Sequence, residues 1–285
     1  MNTKNLNSIV WFDGEWNDGT KPIMSTMSQS YMHGSTIFDG ARAYNGSIPD
    51  LHKHCERLIN SSKIFGLNLP ISKEELINLC KEGVGLFEKD SELYIRPSIF
   101  CEDGFLIPDA QSSKLAITIF RAPMPSLNGF TAMLSSYRRP HPLMAPTLAK
   151  ASCLYANTSL ALSEAKKNGF DNVVMRDGEE NIVEFGSANL FMVKSDKVIT
   201  PKWNKTFLNG ITKQRVISLL KDEGVDVLET TVSVSDLLSA DEVFSTGNFG
   251  KVLPVRKIDK VEYEIGAVCN TAIDLYQKYA SKYKD

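Results

Sequence analysis

The sequence has no long apolar run. No stretch approaches the span of a bilayer, and the opening MNTKNLNSIVWFDGEW has no run of apolar residues after a basic start, as a secretory leader would. A cytoplasmic protein is expected. Nor does charge of one sign dominate: the net charge is −2, with lysine and arginine scattered among the acids. No basic stripe is therefore available to neutralise a phosphate backbone, and nucleic acid is not an expected partner. Cysteine is sparse. Cys55, Cys80, Cys101, Cys153 and Cys269 are odd in number, widely spaced and without a C-x-x-C pair. This argues against a disulfide framework and a zinc site, and the five are expected as core thiols. Gly247, Gly250 and Lys251 fail the Walker spacing, no G-x-G-x-x-G opens a helix, and no G-x-S-x-G elbow exists. Histidine is scarce too, and residues two apart on a helix, as in the pair His52 and His54, point to different sides. The two cannot readily share a metal, so solvated positions are expected.

What is present is material for ordinary cores. With 285 residues, 42% of them hydrophobic and 23% charged, the chain is long enough for two moderate domains. The segment SIVWFDGEW alternates like strands before a turn at Asn17-Asp18-Gly19, and Asn45-Gly46 marks a hairpin between ARAY and SIPDL. After Asp50, a predicted N-cap, the residues Leu51, Cys55, Leu58, Ile59 and Phe65 recur at helical spacing until Gly66, which predicts a helix over 51–65. Ser72 with Glu75 forms a capping box that opens a second helix through Phe87, and ELYIRPSIF and KLAITIF read as buried strands. Together these give a small α+β domain over 1–121. The stretch APMPSLNGF, with two prolines and a glycine, predicts a linker over 122–130. A larger α/β domain over 131–285 follows. Its strands are predicted at TAMLSSY, DNVVMR, NIVEF, NLFMVK, VDVLET and EVFST, and its helices at about 152–167, 212–223 and 266–283.

One lysine stands in unusual company, Pro146-Thr147-Leu148-Ala149-Lys150-Ala151-Ser152, just before a helix of the second domain. Small apolar neighbours partly desolvate an amine and favour its neutral, nucleophilic form. That alone says little, because most lysines are surface charges. The long stretch PTLAKASCLYANTSLALSEAKKNGFDNVVMRDGEENIVEFGSANLFMVK says more, together with HGSTIFDGARAY, HKHCERL, ELYIRPSIF, LNGITKQRV and DEVFSTGNFGKVLPVR in that order. Over nearly its whole length the chain resembles the branched-chain amino-acid aminotransferases, class IV, fold type IV pyridoxal-phosphate (PLP) enzymes. The resemblance implies a two-domain α+β fold like that of D-amino-acid aminotransferase, with PLP in the cleft between domains, and a homodimer. It also implies a reversible ping-pong transfer of nitrogen from a branched-chain L-amino acid to 2-oxoglutarate.

Carried over residue by residue, the resemblance makes Lys150 the cofactor anchor and the base at the substrate α-carbon. Glu184 would face the pyridine nitrogen, and an acid after the apolar pair Ile182-Val183 needs a buried partner if it points inward. Tyr155 would donate to the phenolate oxygen. Arg57 would clamp the phosphate, along with Ile211 and Thr212 at the start of a helix opened by Gly210, where free amides suit a dianion, and with Asn248. Phe38, Tyr94 and Arg96 would shape the side-chain pocket, and amides near Asn248 and Phe249 would receive the carboxylate. The chain departs from the family pattern at Asn248 (commonly threonine), at His33 (tyrosine), at Asp39 (glutamate) and around Met124-Pro125, where no pocket tyrosine is evident. These departures admit an (R)-amine or D-amino-acid transaminase as an alternative. Tyr94 and Arg96 disfavour aminodeoxychorismate lyase.

Overall fold

A computed structural model describes residues 7–283, which fall into two compact units. One comprises 7–124 with 149–154 and 280–283, the other 125–148 with 155–279. Lys150 thus groups with the first unit, whereas the sequence reading assigned it to the second.

In the first unit, β1 (Ser8–Phe12), β2 (Glu15–Asp18), β3 (Thr36–Phe38), β4 (Ala41–Ala43), β5 (Leu93–Cys101) and β6 (Ser113–Arg121) form an antiparallel sheet. Its order is β2-β1-β6-β5-β3, with β4 also on β5. The first hairpin turns at Asp13-Gly14, not at Asn17-Asp18-Gly19. Both turn residues have positive φ, 50° and 88°, the type I′ geometry that matches strand twist, so the hairpin turns within SIVWFDGEW. At Asn45-Gly46 the backbone again has positive φ, 51° and 71°, and a Tyr44–Ser47 bridge closes the expected turn.

Helices α1 (Gln29–His33), α2 (Leu51–Phe65) and α3 (Lys73–Gly85) complete the unit. Asp50 precedes α2 with a left-handed backbone and makes no side-chain cap, contrary to expectation, while Gly66 ends the helix with φ 72°. Ser72 caps α3 by accepting from the Glu75 amide at 3.1 Å. Leu51, Cys55 and Leu58 of α2 and Leu76 and Cys80 of α3 pack with Ile95, Ile99, Ile117 and Ile119 of the sheet in one core, which also takes in Ala149 and Ala151. Four cysteines are buried as expected. Cys153 is exposed.

The second unit begins with β7 (Phe130–Arg138) and α4 (Tyr155–Lys167), so the helix predicted from 152 becomes α-helical only at Tyr155, after a 3-10 turn. There follow β8 (Asn172–Arg176), β9 (Ile182–Phe185), β10 (Asn189–Lys194), β11 (Lys197–Pro201), α5 (Ile211–Asp222), β12 (Val227–Thr230) and α6 (Val234–Leu238). The chain continues through β13 (Glu242–Gly247), β14 (Lys251–Ile258), β15 (Val261–Glu262) and α7 (Ala267–Lys282). The strand order is β12-β11-β10-β13-β14-β7-β8-β9, and β9 returns to β10 through Glu184 opposite Asn189. Six strands thereby close a ring. Its core includes Val174, Phe185, Leu190, Met192, Val243 and Val255. Among the described residues no helix is long and apolar enough to cross a membrane.

Glycine is required where α3 lies on its sheet, since a Cβ at Gly83 would overlap the Trp16 ring and the Ile119 side chain. Overpacking of such a contact costs about 1–3 kcal/mol. Gly83→Val is therefore expected to lower the urea midpoint by that equivalent, and an unchanged midpoint would show that the contact gives way.

Candidate active site

In the first unit the backbone of Lys150 is held from two sides. Its amide donates to Ser61 Oγ of α2 at 3.0 Å, and its carbonyl accepts from the Phe38 amide at the end of β3, also at 3.0 Å. An Ile37–Ala151 bridge continues this pairing along the edge of the sheet. The side chain is thus aimed from a fixed root. Lys150 Nζ lies 4.9 Å from the centroid of the Phe38 ring, and the Arg96 guanidinium carbon lies 3.9 Å from the same centroid, so one buried aromatic serves two cations. Tyr94 stacks on Phe120 at 5.3 Å, and its hydroxyl abuts the bare Cα of Gly40, where any side chain would displace it.

Beside Phe38 sits Asp39, with no exposed surface. Its carboxylate takes four donors: the Gly40 amide at 2.7 Å, His54 Nδ1 at 2.7 Å, and Arg57 Nε and Nη2 at 2.6 and 2.8 Å. His54 is buried, which corrects the expectation of a solvated residue; His52 is exposed as expected. Burial alone pushes a carboxyl pKa up. The charge and hydrogen bonds of Arg57, joined by those of His54, outweigh it and hold Asp39 well below the usual carboxylate range. Arg57, read as a phosphate clamp, therefore engages Asp39 through one edge of its fork. Asp39 is no pocket-polarity change, because its oxygens are consumed within the fold. His33 lies exposed at the end of α1, edge-on to Phe105.

In the second unit Glu184 is largely buried, and its Oε1 lies 2.8 Å from Arg139 Nε. The buried partner that the sequence demanded is thus a residue of the chain. Arg139 is fixed in turn by Thr158 Oγ1 at 2.9 Å and the Gly186 carbonyl at 2.7 Å, which ties Glu184 to α4, the helix that starts at the half-buried Tyr155. Across the strands, Glu184 stands opposite Asn189 and Asn189 opposite Thr246. Asn189 Nδ2 donates to the Leu208 carbonyl at 3.1 Å, and its Oδ1 lies so close to Gly210 that a Cβ there would overlap it.

Gly210 caps α5 without a side-chain bond, leaving the amides of the first turn, with buried Ile211 and Thr212, open to an acceptor. Asn248 Oδ1 accepts from Lys251 Nζ at 2.8 Å, while Asn248 Nδ2 and the buried Thr246 Oγ1 have no hydrogen-bond partner among the described residues. Phe249 is exposed. These features fit PLP on chemical grounds. An uncapped 12-residue helix start with two orphaned donors suits a phosphate, and an acid stands two strands away, roughly 10 Å, for a ring nitrogen. No group of three or more metal-ligating side chains gathers among the described residues.

The expected site residues thus divide by unit: Phe38, Arg57, Tyr94, Arg96 and Lys150 in the first, Tyr155, Glu184, Ile211, Thr212, Asn248 and Phe249 in the second. Sequence reasoning missed the partners Asp39, His54, Ser61, Arg139 and Thr246. Only the α2 residues carried a signal, since His54, Arg57 and Ser61 fall on one helix face at i, i+3 and i+7. Because the folded Asp39 titrates below the unfolded value of about 3.9, its pair stabilises the fold fully above about pH 4 and is lost as pH falls below that. Asp39→Asn is expected to lower stability at pH 7 by about 3 kcal/mol and to flatten the acid limb of urea unfolding. An unaltered acid limb would deny the pair this role.

Comparisons with known proteins agree with this geometry. The class IV amino-transferase family matches residues 36–258. A probable branched-chain-amino-acid aminotransferase of Aquifex aeolicus is 33% identical over 282 residues, covering 94% of this chain and 91% of its own. The branched-chain-amino-acid aminotransferase of Escherichia coli is 33% identical over 279 residues, 92% of this chain and 88% of its own. Among solved structures, a Brucella abortus aminotransferase bound to PLP superposes with a TM-score of 0.94 at 40% identity, covering 96% of this chain and 99% of that one. With its pinned lysine, its buried acid and its uncapped helix start, the chain belongs to the class IV aminotransferases.

Proposed function

We propose that this chain is a PLP-dependent transaminase that carries the amino group of a branched-chain L-amino acid to 2-oxoglutarate. The observation that carries the reading is Lys150, its main chain fixed by Ser61 and Phe38 and its amine held against the Phe38 ring. When bound, PLP supplies an aldehyde that an amine captures and a ring that accepts electron density from the substrate α-carbon. Lys150 Nζ takes and returns the α-proton, and its fixed root keeps that amine in one place through both half-reactions. Glu184, its direction set by Arg139, presents a carboxylate to a ring nitrogen. Arg57 and the start of α5 are the groups that would hold a phosphate, and Tyr155 would donate to a phenolate oxygen. Phe38 offers an apolar wall, and Arg96, stacked over its ring, orients the same side-chain pocket.

The branched-chain relatives support this substrate class. The (R)-amine or D-amino-acid alternative loses its motive at Asp39, whose carboxylate is spent on Arg57, His54 and Gly40. The homodimer implied by the family resemblance and the cytoplasmic location expected from the sequence belong to the same proposal. Phe105, Leu106 and Ile107, at least 72% exposed in succession, support a subunit contact.

Glutamate formation from 2-oxoglutarate is expected with leucine, isoleucine and valine. If none of the three yields glutamate the substrate assignment is wrong, and turnover of D-alanine or (R)-1-phenylethylamine alone would favour the alternative. Glu184→Ala is expected to retain PLP and lose roughly a hundredfold or more in kcat, whereas full activity would refute the role given to that acid.

A further inference from the structure

Thr246 is fully buried at the end of β13, and its hydroxyl has no hydrogen-bond partner among the described residues. Buried hydroxyls are seldom left this way, because the desolvation they suffer is then uncompensated. Its direction follows from the ladder. Thr246 stands directly opposite Asn189, and opposed residues of an antiparallel pair present their side chains on one face. On that face Asn189 bonds the Leu208 carbonyl and closes against Gly210, the residue that caps α5. The Thr246 hydroxyl therefore belongs to the same recess as the free amides of Ile211 and Thr212.

Two residues on, Asn248 contributes to that recess. Its Oδ1 is taken by Lys251 Nζ at 2.8 Å, which leaves the orphaned Nδ2 as the end of the amide that has donors to give. Gly247 between them cannot carry a side chain, since a Cβ would press on Ala188 at 2.9 Å. Two donors with no protein acceptor thus flank a glycine at a helix start that lacks a side-chain cap, an arrangement suited to an anion with several oxygens.

We infer that Thr246 donates its hydroxyl to the phosphate of PLP, as an additional anchor beside Asn248 and the first turn of α5. This rests on the proposed use of PLP. Lys251, through Asn248 Oδ1, is a positioning residue for the second donor. The hydroxyl then has opposite effects in the two states: unsatisfied without the cofactor, bonded to a charged acceptor with it.

Thr246→Val keeps the shape and removes the hydroxyl. With PLP stripped, the variant is expected to melt at or above the wild-type midpoint. Titrated back by absorbance, it is expected to bind PLP about ten- to a hundredfold more weakly, yet to bind pyridoxal, which has no phosphate, as the wild type does. Thr246→Ser is expected to restore the affinity for PLP. Unchanged PLP affinity in Thr246→Val, an equal loss for pyridoxal, or a lower melting point of the stripped variant would overturn the inference while leaving the transaminase reading intact. A wild-type protein that takes up no PLP would overturn both. Should Thr246→Val not fold, Thr246→Ala carries the same comparison.

Discussion

A lysine side chain ends four carbons from its backbone, so where its amine acts depends on where its main chain is fixed. For Lys150 that fixing is complete: the Ser61 hydroxyl holds the amide, the Phe38 amide holds the carbonyl, and the Ile37–Ala151 bridge extends the pairing. The same two neighbours lead back to Arg57. Ser61 stands four residues after Arg57 on α2, and Phe38 precedes Asp39, whose carboxylate grips the Arg57 fork. A closed circuit of hydrogen bonds and short chain segments therefore links the amine and the guanidinium within one unit. Movement of α2 against β3 would displace both together, which is why a wholly buried charge is placed there and given four donors.

The second unit solves a comparable problem with its sheet. Strand β9 returns to β10, and the row Glu184, Asn189, Thr246 crosses three neighbouring strands with an acid at one end and a hydroxyl at the other. Asn189 in the middle touches neither proton nor phosphate in this reading. Its work is to close against Gly210 and hold the chain that enters α5. Arg139 does the corresponding service for Glu184, anchored on α4 and on the Gly186 carbonyl. In both units the groups proposed to meet cofactor or substrate are directed by polar residues behind them.

Much of this was legible in the sequence, and the limits were physical. Helix α2 showed itself through its apolar period and Gly66, and β5 and β6 through their apolar runs. The candidate site residues rest on motifs that occur in one order along the chain. The partners did not: nothing local says that Asp39 meets an arginine eighteen positions on, that His54 is drawn inward by that same acid, or that Arg139 reaches Glu184. The short acid at position 39 suggests a change in pocket polarity, but four donors hold its oxygens within the fold. The first hairpin turns at Asp13-Gly14, a pair that competes with the equally turn-like Asn17-Asp18-Gly19 a few residues on, and β14, with Pro254 in its middle, gave no strand signal. Lys150 went to the wrong unit because a short segment of six residues crosses to the first sheet, a tertiary choice that periodicity cannot register.

The most direct measurement is chemical. The protein is loaded with PLP, reduced with borohydride and digested, and the peptides are mapped by mass spectrometry. The phosphopyridoxyl group is expected on Lys150 alone, and the label should vanish in Lys150→Ala. Label on another lysine, or none on the loaded protein, would contradict the role of this residue and with it the reading of both units.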